Sequence, residues 1–420
     1  MVVAPSYPHP GHPYSGVFNE RCVEALGKLC ETVEVLAPRP YVPPVVSRWM
    51  PRWRAYGHQR SGKSVNGTMV LRPAAVVVPR WGGALWVDRA AFFCCRRTAR
   101  ARHKRVGFDA ILSFDLLGAG GLAWRIGREL GVPASGWATG SDVRVPRSSS
   151  FGRSVARALR RLELVFYQSR ELRAQAAALL GIAPEEMPPE RHMVLSRGIA
   201  EPPPLQKQEV RSRIRRELGL AEDAVLVLNV GRVSRDKGVF ELLDAVSRAA
   251  RHDPRIHCAI VGASPEFDES ALVEKQLSER SELKDRVRLV RACAPDKVWE
   301  YLCAADIFAF ASHREGMPNS LLEAMAMGVA AVAFAIPPVQ EIDATGDSLV
   351  RVPSFESAAM AREINRLAVS PLRRAEIGAN AKRAVLERFL TKHSMATAAR
   401  KIAELVERRN ARGCGVRAYA

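Results

Sequence analysis

Ser312-His313-Arg314-Glu315-Gly316-Met317-Pro318-Asn319-Ser320-Leu321-Leu322-Glu323-Ala324-Met325-Ala326-Met327-Gly328 is the stretch that decides the fold of this 420-residue chain. It follows Ile307-Phe308-Ala309-Phe310, an apolar run that reads as a strand buried on both faces. A loop with a carboxylate and a glycine comes next, then a helix with Pro318 near its start and Gly328 as its stop. Such a strand–loop–helix unit leaves backbone N–H groups unpaired at the helix start, and that end suits an anion, a phosphate above all. Glu315 stands before the helix and Glu323 inside it, with seven residues between them. Helical side chains lean toward the N-terminus, so both carboxylates are expected to approach one ligand. Carboxylates beside a phosphate accept hydrogen bonds from hydroxyl groups, as on a sugar or ribose. Glu323 also has a structural reading. Ser320-Leu321-Leu322-Glu323 fits a capping box, in which the carboxylate only ties off a backbone N–H.

The same rhythm extends outward. Val225-Leu226-Val227-Leu228-Asn229-Val230 is a second buried strand, and its loop carries Gly231, Arg232, Lys237 and Gly238 before a helix over 239–250. Two cations, with glycines admitting close backbone approach, suit a diphosphate. One Arg and one Lys alone fit an ordinary solvated loop equally well. Strands are expected at 257–261, 287–290 and 329–334. In the first half they are expected at 2–4, 32–36, 110–113, 132–138, 165–167 and 193–195, with a helix over 19–29. The prolines in 38–51 mark irregular chain, and 201–209, opening Glu201-Pro202-Pro203-Pro204, reads as a linker. Two α/β domains of Rossmann-like βαβ units, each with a parallel sheet, follow, with the sheets facing a cleft. Ligands in such sheets lie outside the carboxyl ends of the strands.

Gly118-Ala119-Gly120-Gly121-Leu122-Ala123 also fits the G-x-G-x-x-A dinucleotide fingerprint. That fingerprint needs an acid at the end of the next strand. Asp142 lies 24 residues beyond Gly118, but past Thr139-Gly140, in a turn. Close helix–sheet packing is the fuller account of these glycines.

Composition narrows the class. No run approaches the ~18 apolar residues of a membrane span, since the best candidate, 84–95, is broken by Asp88 and Arg89. The first residues lack a charged segment leading into an apolar one, so no signal peptide is expected. Eight scattered cysteines form no C-x-x-C pair and no zinc-spaced cluster, which fits a reduced cytoplasmic protein without a structural metal. The net charge of +19 is uneven: residues 1–200 hold 29 Lys/Arg against 14 Asp/Glu, the rest 34 against 30. From Arg39 to Arg105 there are 15 basic residues and one acid, Asp88, interleaved with Trp49, Trp53, Tyr56, Trp81, Trp86, Phe92 and Phe93. That mixture suits an anionic membrane surface. It would also suit nucleic acid, although no helix-turn-helix, finger or RNP signature appears. An arginine-rich solvated surface is the plain alternative.

The quoted segment resembles the E-x7-E signature of retaining glycosyltransferases of the group 1 (family four) type, which have the GT-B fold. Asn229 to Gly238 is similar to that family's diphosphate loop. Ser6-Tyr7-Pro8-His9-Pro10 with Ser15-Gly16-Val17-Phe18 resembles its first strand and glycine loop, and Gly140-Ser141-Asp142 a later turn. The opening also resembles members that build cell-surface polysaccharide of the teichuronic acid type. The resemblance implies an acceptor-side domain over 1–200, a nucleotide-sugar domain over 201–390, and a last segment, 391–420, whose helix crosses back to the first domain. It implies Arg232, Lys237 and Glu315 as catalytic residues. For donor binding it implies Gly16, Gly231, Gly316, Met317, Pro318, Asn319, Ser320, Leu321 and Glu323. Within these sets Glu323 would hold ribose hydroxyls, Glu315 the sugar, and the amides of 316–321 the sugar and phosphates.

The reaction implied is retaining transfer of a sugar from a nucleoside diphosphate sugar to an acceptor hydroxyl. It needs no cofactor and no metal, because Arg232, Lys237 and the helix N-terminus would take the leaving charge. The acceptor expected is lipid-linked or a polysaccharide, worked on in the cytoplasm at the inner membrane face. Two departures stand out. Thr139 occupies a place where the family often has His, and Arg197-Gly198-Ile199-Ala200 stands where members carry Asn-Gly-Val-Asp. A GT-B-fold epimerase or phosphorylase is the alternative enzyme, and a basic nucleic-acid-binding protein the alternative without catalysis.

Overall fold

Parallel strands buried on both faces need helices above and below, and alternation between strands and helices supplies them. The computed structural model describes residues 1–9, 15–42, 61–64, 66–75, 83–264 and 268–416. Pro10, most of the 38–51 stretch and Trp49, Trp53, Tyr56 and Trp81 lie outside the described residues. The chain packs as two compact units, Met1–Arg197 with Thr391–Ala420, and Gly198–Leu390.

The first unit holds β1 (Val2–Val3), β2 (Glu34–Leu36), β3 (Arg39–Pro40), β4 (Gly62–Lys63), β5 (Met69–Leu71), β6 (Ala74–Ala75), β7 (Ile111–Phe114), β8 (Ala134–Ala138), β9 (Leu164–Tyr167) and β10 (His192–Val194). Eight of these form one sheet in the order β10-β9-β8-β7-β1-β2-β5-β4, while β3 and β6 pair separately. Within the large sheet only β4 runs antiparallel to its neighbour. Alternate residues serve opposite faces. Val2, Val35, Leu112 and Phe114 enter one core with Trp137 and Leu26, and Val3, Leu36 and Ile111 enter the other. The helix Thr391–Val416 gives Met395 and Ala398 to the first of these cores.

The second unit holds β11 (Val225–Val230), β12 (Ile256–Ala263), β13 (Val287–Arg291), β14 (Ile307–Phe310), β15 (Ala330–Phe334) and β16 (Val350–Val352), in the order β13-β12-β11-β14-β15-β16. All its pairs are parallel. Leu226, Leu228 and Phe308 face one core, and Val225, Val227 and Ile307 the other.

Each sheet has one place where the connections depart in opposite directions, between β1 and β7 in the first and between β11 and β14 in the second. The crevice at the carboxyl end of such a place is where open α/β sheets hold ligands.

Some elements differ from their sequence reading. The broken apolar run at 84–95 lies within a helix, Gly83–Val106. Among the described residues no helix is long and apolar enough to cross a membrane. The expected linker is helical from Lys207, because Arg211 and Arg215 both clamp Asp306, at 2.6 and 2.9 Å. The helix expected over 19–29 runs Val17–Gly27, starting on Gly16.

Met395 is fully buried beside Trp137 in the face that the last helix covers. Met395→Ala is expected to cost about 2–5 kcal/mol and to lower the urea midpoint of the first unit without changing the slope. An unaltered midpoint would refute this packing.

Candidate active site

In the second unit, the loops after β11 and β14 are joined by backbone. Gly238 has φ 67°, and a side chain there would strike the Ala311 carbonyl oxygen, 1.9 Å from where its Cβ would stand. The His313 amide donates to the Asp236 carbonyl at 3.0 Å. Asn229, at the end of β11, donates to the Ala309 carbonyl at 2.9 Å. This seam brings Lys237 to Glu315: Nζ donates to Oε1 at 2.6 Å, and the Ser312 hydroxyl donates to the same oxygen at 2.7 Å. The pair is mostly shielded, with side chains 25% and 15% exposed.

Arg232 is arranged differently. Its side chain is 67% exposed and pairs with Asp236 at 3.6 Å. Burial alone would raise the Asp236 carboxyl. The Ser234 hydroxyl and the charges of Arg232 and Lys237 outweigh burial and hold it below its usual value. Gly231 closes β11, its amide donating to the Val261 carbonyl at 3.0 Å.

The second helix starts as the phosphate reading requires. Asn319–Ala326 follows Pro318, which makes no side-chain cap, and its first N–H groups have no carbonyl one turn back to bond. Ser320 lies inside this helix rather than at its cap, so the capping box at Glu323 does not form. Glu323 is instead buried on the second turn, 8% exposed. Gly316, Met317 and Pro318 are buried, and the Met317 and Leu321 side chains belong to the core, which leaves their backbone to face a ligand. Asn319 Oδ1 is buried and has no hydrogen-bond partner. A buried acceptor without a donor is costly, about 1–3 kcal/mol, and a ligand hydroxyl would satisfy it.

In the first unit, Gly16 adopts φ 73° and its missing Cβ would stand 2.4 Å from the Ser6 carbonyl oxygen. The glycine is required by this contact whatever else it meets. Asn19 ties the same turn, its Nδ2 donating to the Ser6 carbonyl at 2.7 Å, and Arg197 donates to Asn19 Oδ1 at 2.6 Å. Asp142 is fully buried and accepts backbone N–H groups from Leu116 at 3.0 Å, Thr139 at 3.0 Å, Gly140 at 2.8 Å and Val143 at 3.1 Å. That carboxylate is spent on holding loops and cannot serve a dinucleotide ribose. Gly121 packs so closely on Asp88 that a Cβ would lie 2.5 Å from its Oδ2, so helix packing accounts for this glycine of the fingerprint.

Two residues escaped the sequence reading. Asp115, directly after β7, has φ 107° without being glycine. Its amide still pairs with the Trp137 carbonyl at 3.0 Å, while the next amide, of Leu116, is taken by Asp142. The turn is forced into one residue. Burial, then the neighbouring Asp142 charge, push the Asp115 carboxyl well above the usual carboxylate range, with Arg197 opposing. Phe355 has φ 67°, is largely exposed, and sets its ring 4.4 Å from that of His313. No sequence pattern marks either, because both features are made by distant partners.

Comparison with known proteins agrees with these two sheets. The family described as glycosyl transferases group 1 matches residues 210–384, which spans β11 to β16. A putative teichuronic acid biosynthesis glycosyltransferase of Bacillus subtilis is 27% identical over 363 residues, 86% of each chain. Sucrose-phosphate synthase of Thermosynechococcus elongatus superposes with a TM-score of 0.72 at 18% identity, over 96% of this chain and 99% of that one. HepE of Anabaena, in complex with UDP, gives 0.71 at 17%, with the same coverage. Residues 210–384 are a group 1 glycosyl transferase domain within a chain of GT-B architecture, and the activity they point to is sugar transfer.

Proposed function

We propose that the donor is a UDP-sugar, that transfer retains the anomeric configuration, and that no metal takes part. The Lys237–Glu315 pair at the β11/β14 crevice carries this reading. When the sugar C1–O bond breaks, negative charge builds on the diphosphate. Lys237, Arg232 and the N–H groups of Gly316, Met317, Asn319 and Ser320 receive that charge, and Glu315, released from Lys237, accepts hydroxyls of the sugar. Glu323 and the Asn319 oxygen take the remaining hydroxyls. The departing phosphate takes the acceptor proton as the new bond forms on the same face. Solved HepE complexes with UDP and UDP-glucose support the choice of nucleotide.

The acceptor is a cell-envelope polysaccharide or its lipid-linked precursor, supported by the printed role of the Bacillus subtilis relative. Asp115, strained and holding its proton, lies at the β1/β7 crevice of the first unit and is the group we assign to an acceptor hydroxyl. It supplies the titratable side chain that Thr139 lacks. The basic first unit would hold the enzyme at an anionic inner membrane face. On the helix Gly83–Val106, Phe93 is 59% exposed with the Arg96 guanidinium 5.0 Å from its ring centre.

Lys237→Ala and Glu315→Ala are each expected to stay folded and to lose at least ~10²-fold in turnover. Unchanged turnover in either purified variant would defeat the site assignment. In a thermal-shift series against UDP-, GDP- and ADP-sugars, a UDP-sugar should raise the melting point most, and a larger response to GDP or ADP would remove the nucleotide choice. Asp115 titrates above its unfolded value of about 3.9, so its contribution is fully present below that pH and fades as pH rises through the folded value. Asp115→Asn should flatten this decline. Asp115→Gly should raise the melting point, by relieving about 1–3 kcal/mol of backbone strain, while lowering transfer. A melting point that falls, with transfer intact, would contradict the role. Flotation should favour anionic over neutral liposomes, and equal partitioning would count against membrane docking.

A further inference from the structure

One cavity on the first unit is lined by none of the residues assigned above. It is a groove of about 850 Å³ along the helix Ser150–Arg161, lined by Arg147, Arg153, Arg157, Arg160 and Arg161 over a floor of Ala156 and Leu179. The inner face of this helix is apolar and fully buried at Val155, Ala158 and Leu159. Arg153, Arg157, Arg160 and Arg161 fall at i, i+4, i+7 and i+8, a single stripe about 12 Å long at 1.5 Å per residue.

Several of these guanidinium groups are held in place. Arg147 lies flat over Gly181, where any Cβ would stand 2.5 Å from its Nη2. Arg160 donates to the Leu180 carbonyl at 3.2 Å, and Arg153 to the Ser148 carbonyl. Arg161 stacks 5.3 Å from the Trp124 ring centre. No carboxylate lines the groove, and among the described residues none of the five arginines forms an ion pair. Five like charges in one concavity repel one another, and the Asp88 carboxylate, which feels the Arg157 charge, offsets that repulsion in part. Arginine's planar fork matches carboxylate and phosphate oxygens.

We propose that this groove binds an anionic polysaccharide chain, whose successive carboxylate or phosphate groups meet the arginine stripe. Its concave form favours a chain over the plane of a bilayer, which needs a convex or flat face with apolar side chains to insert. Arg147 follows the Thr139–Val143 turn after β8 by four residues, which ties the groove in sequence to the carboxyl end of that strand. This deepens the proposed polysaccharide acceptor by giving the polymer charge and a track remote from its reacting end.

The probe is a fluorescein-labelled oligogalacturonate of eight residues, with neutral maltooctaose alongside, followed by anisotropy at rising salt. Full-length wild type is expected to bind the acidic oligomer, with affinity falling as salt rises, and to ignore the neutral one. R153E/R157E/R160E should weaken binding at least tenfold, and the milder R157Q/R160Q severalfold. R362E/R373E/K382E, which changes net charge equally on exposed residues of the second unit, should leave binding within twofold. Melting curves check folding, and a retained thermal response to the UDP-sugar separates failure of the groove from failure of the donor reading. Equal loss in the control variant, unchanged binding in the groove variants, or no binding by wild type would overturn the proposal. So would loss of anionic-vesicle binding in the groove variants without any oligogalacturonate binding by wild type, since the occupant would then be a lipid surface.

Discussion

Gly238 lacks a side chain because the carbonyl of Ala311 occupies its place. That contact fixes how the loops after β11 and β14 meet, and every feature of the second-unit site follows from it. The left-handed turn at Gly238 starts the helix Val239–His252 and presents Lys237 to Glu315. Two of the glycines in these loops, Gly16 and Gly238, carry backbone against backbone. Their conformational freedom is used to close the site's walls. The electrostatic work falls to side chains and to helix N–H groups, which need fixed walls to point at one ligand.

The ion pair also sets a threshold for binding. Lys237 and Glu315 satisfy each other at 2.6 Å in a partly shielded place, and an anion must displace the carboxylate to reach the ammonium. Breaking one partner of such a pair is costly unless the other is paired at once. A ligand that brings both a phosphate for Lys237 and hydroxyls for Glu315 meets that condition. A phosphate alone, or a sugar alone, meets half of it.

Long buried strands were legible because burial on both faces leaves an unbroken apolar run. Val225–Val230 and Ile307–Phe310 were read to the residue. Short edge strands were not legible: β3, β4 and β6 have two residues each, too few to show a period, and β16 has three. The helix Gly83–Val106 was hidden by the charges that interrupt its apolar run. At the site, residue types and spacing pointed to the anion-binding loops, but the family resemblance was needed to pair residues 78 apart. Asp115 could not be found from sequence. Its strain arises because strand pairing claims its amide and a buried carboxylate 26 positions from Leu116 claims the next.

The first unit is assembled from two separated pieces of chain, with residues 391–416 covering the face that holds Trp137 and Phe166. The second unit is contiguous from Gly198 to Leu390. During synthesis at about 5–20 residues per second, the Trp137 face of the first unit emerges covered in part by the helix Val17–Gly27, well ahead of the segment 391–416 that completes its core. That interval exposes aromatic surface while the second unit already has all its parts.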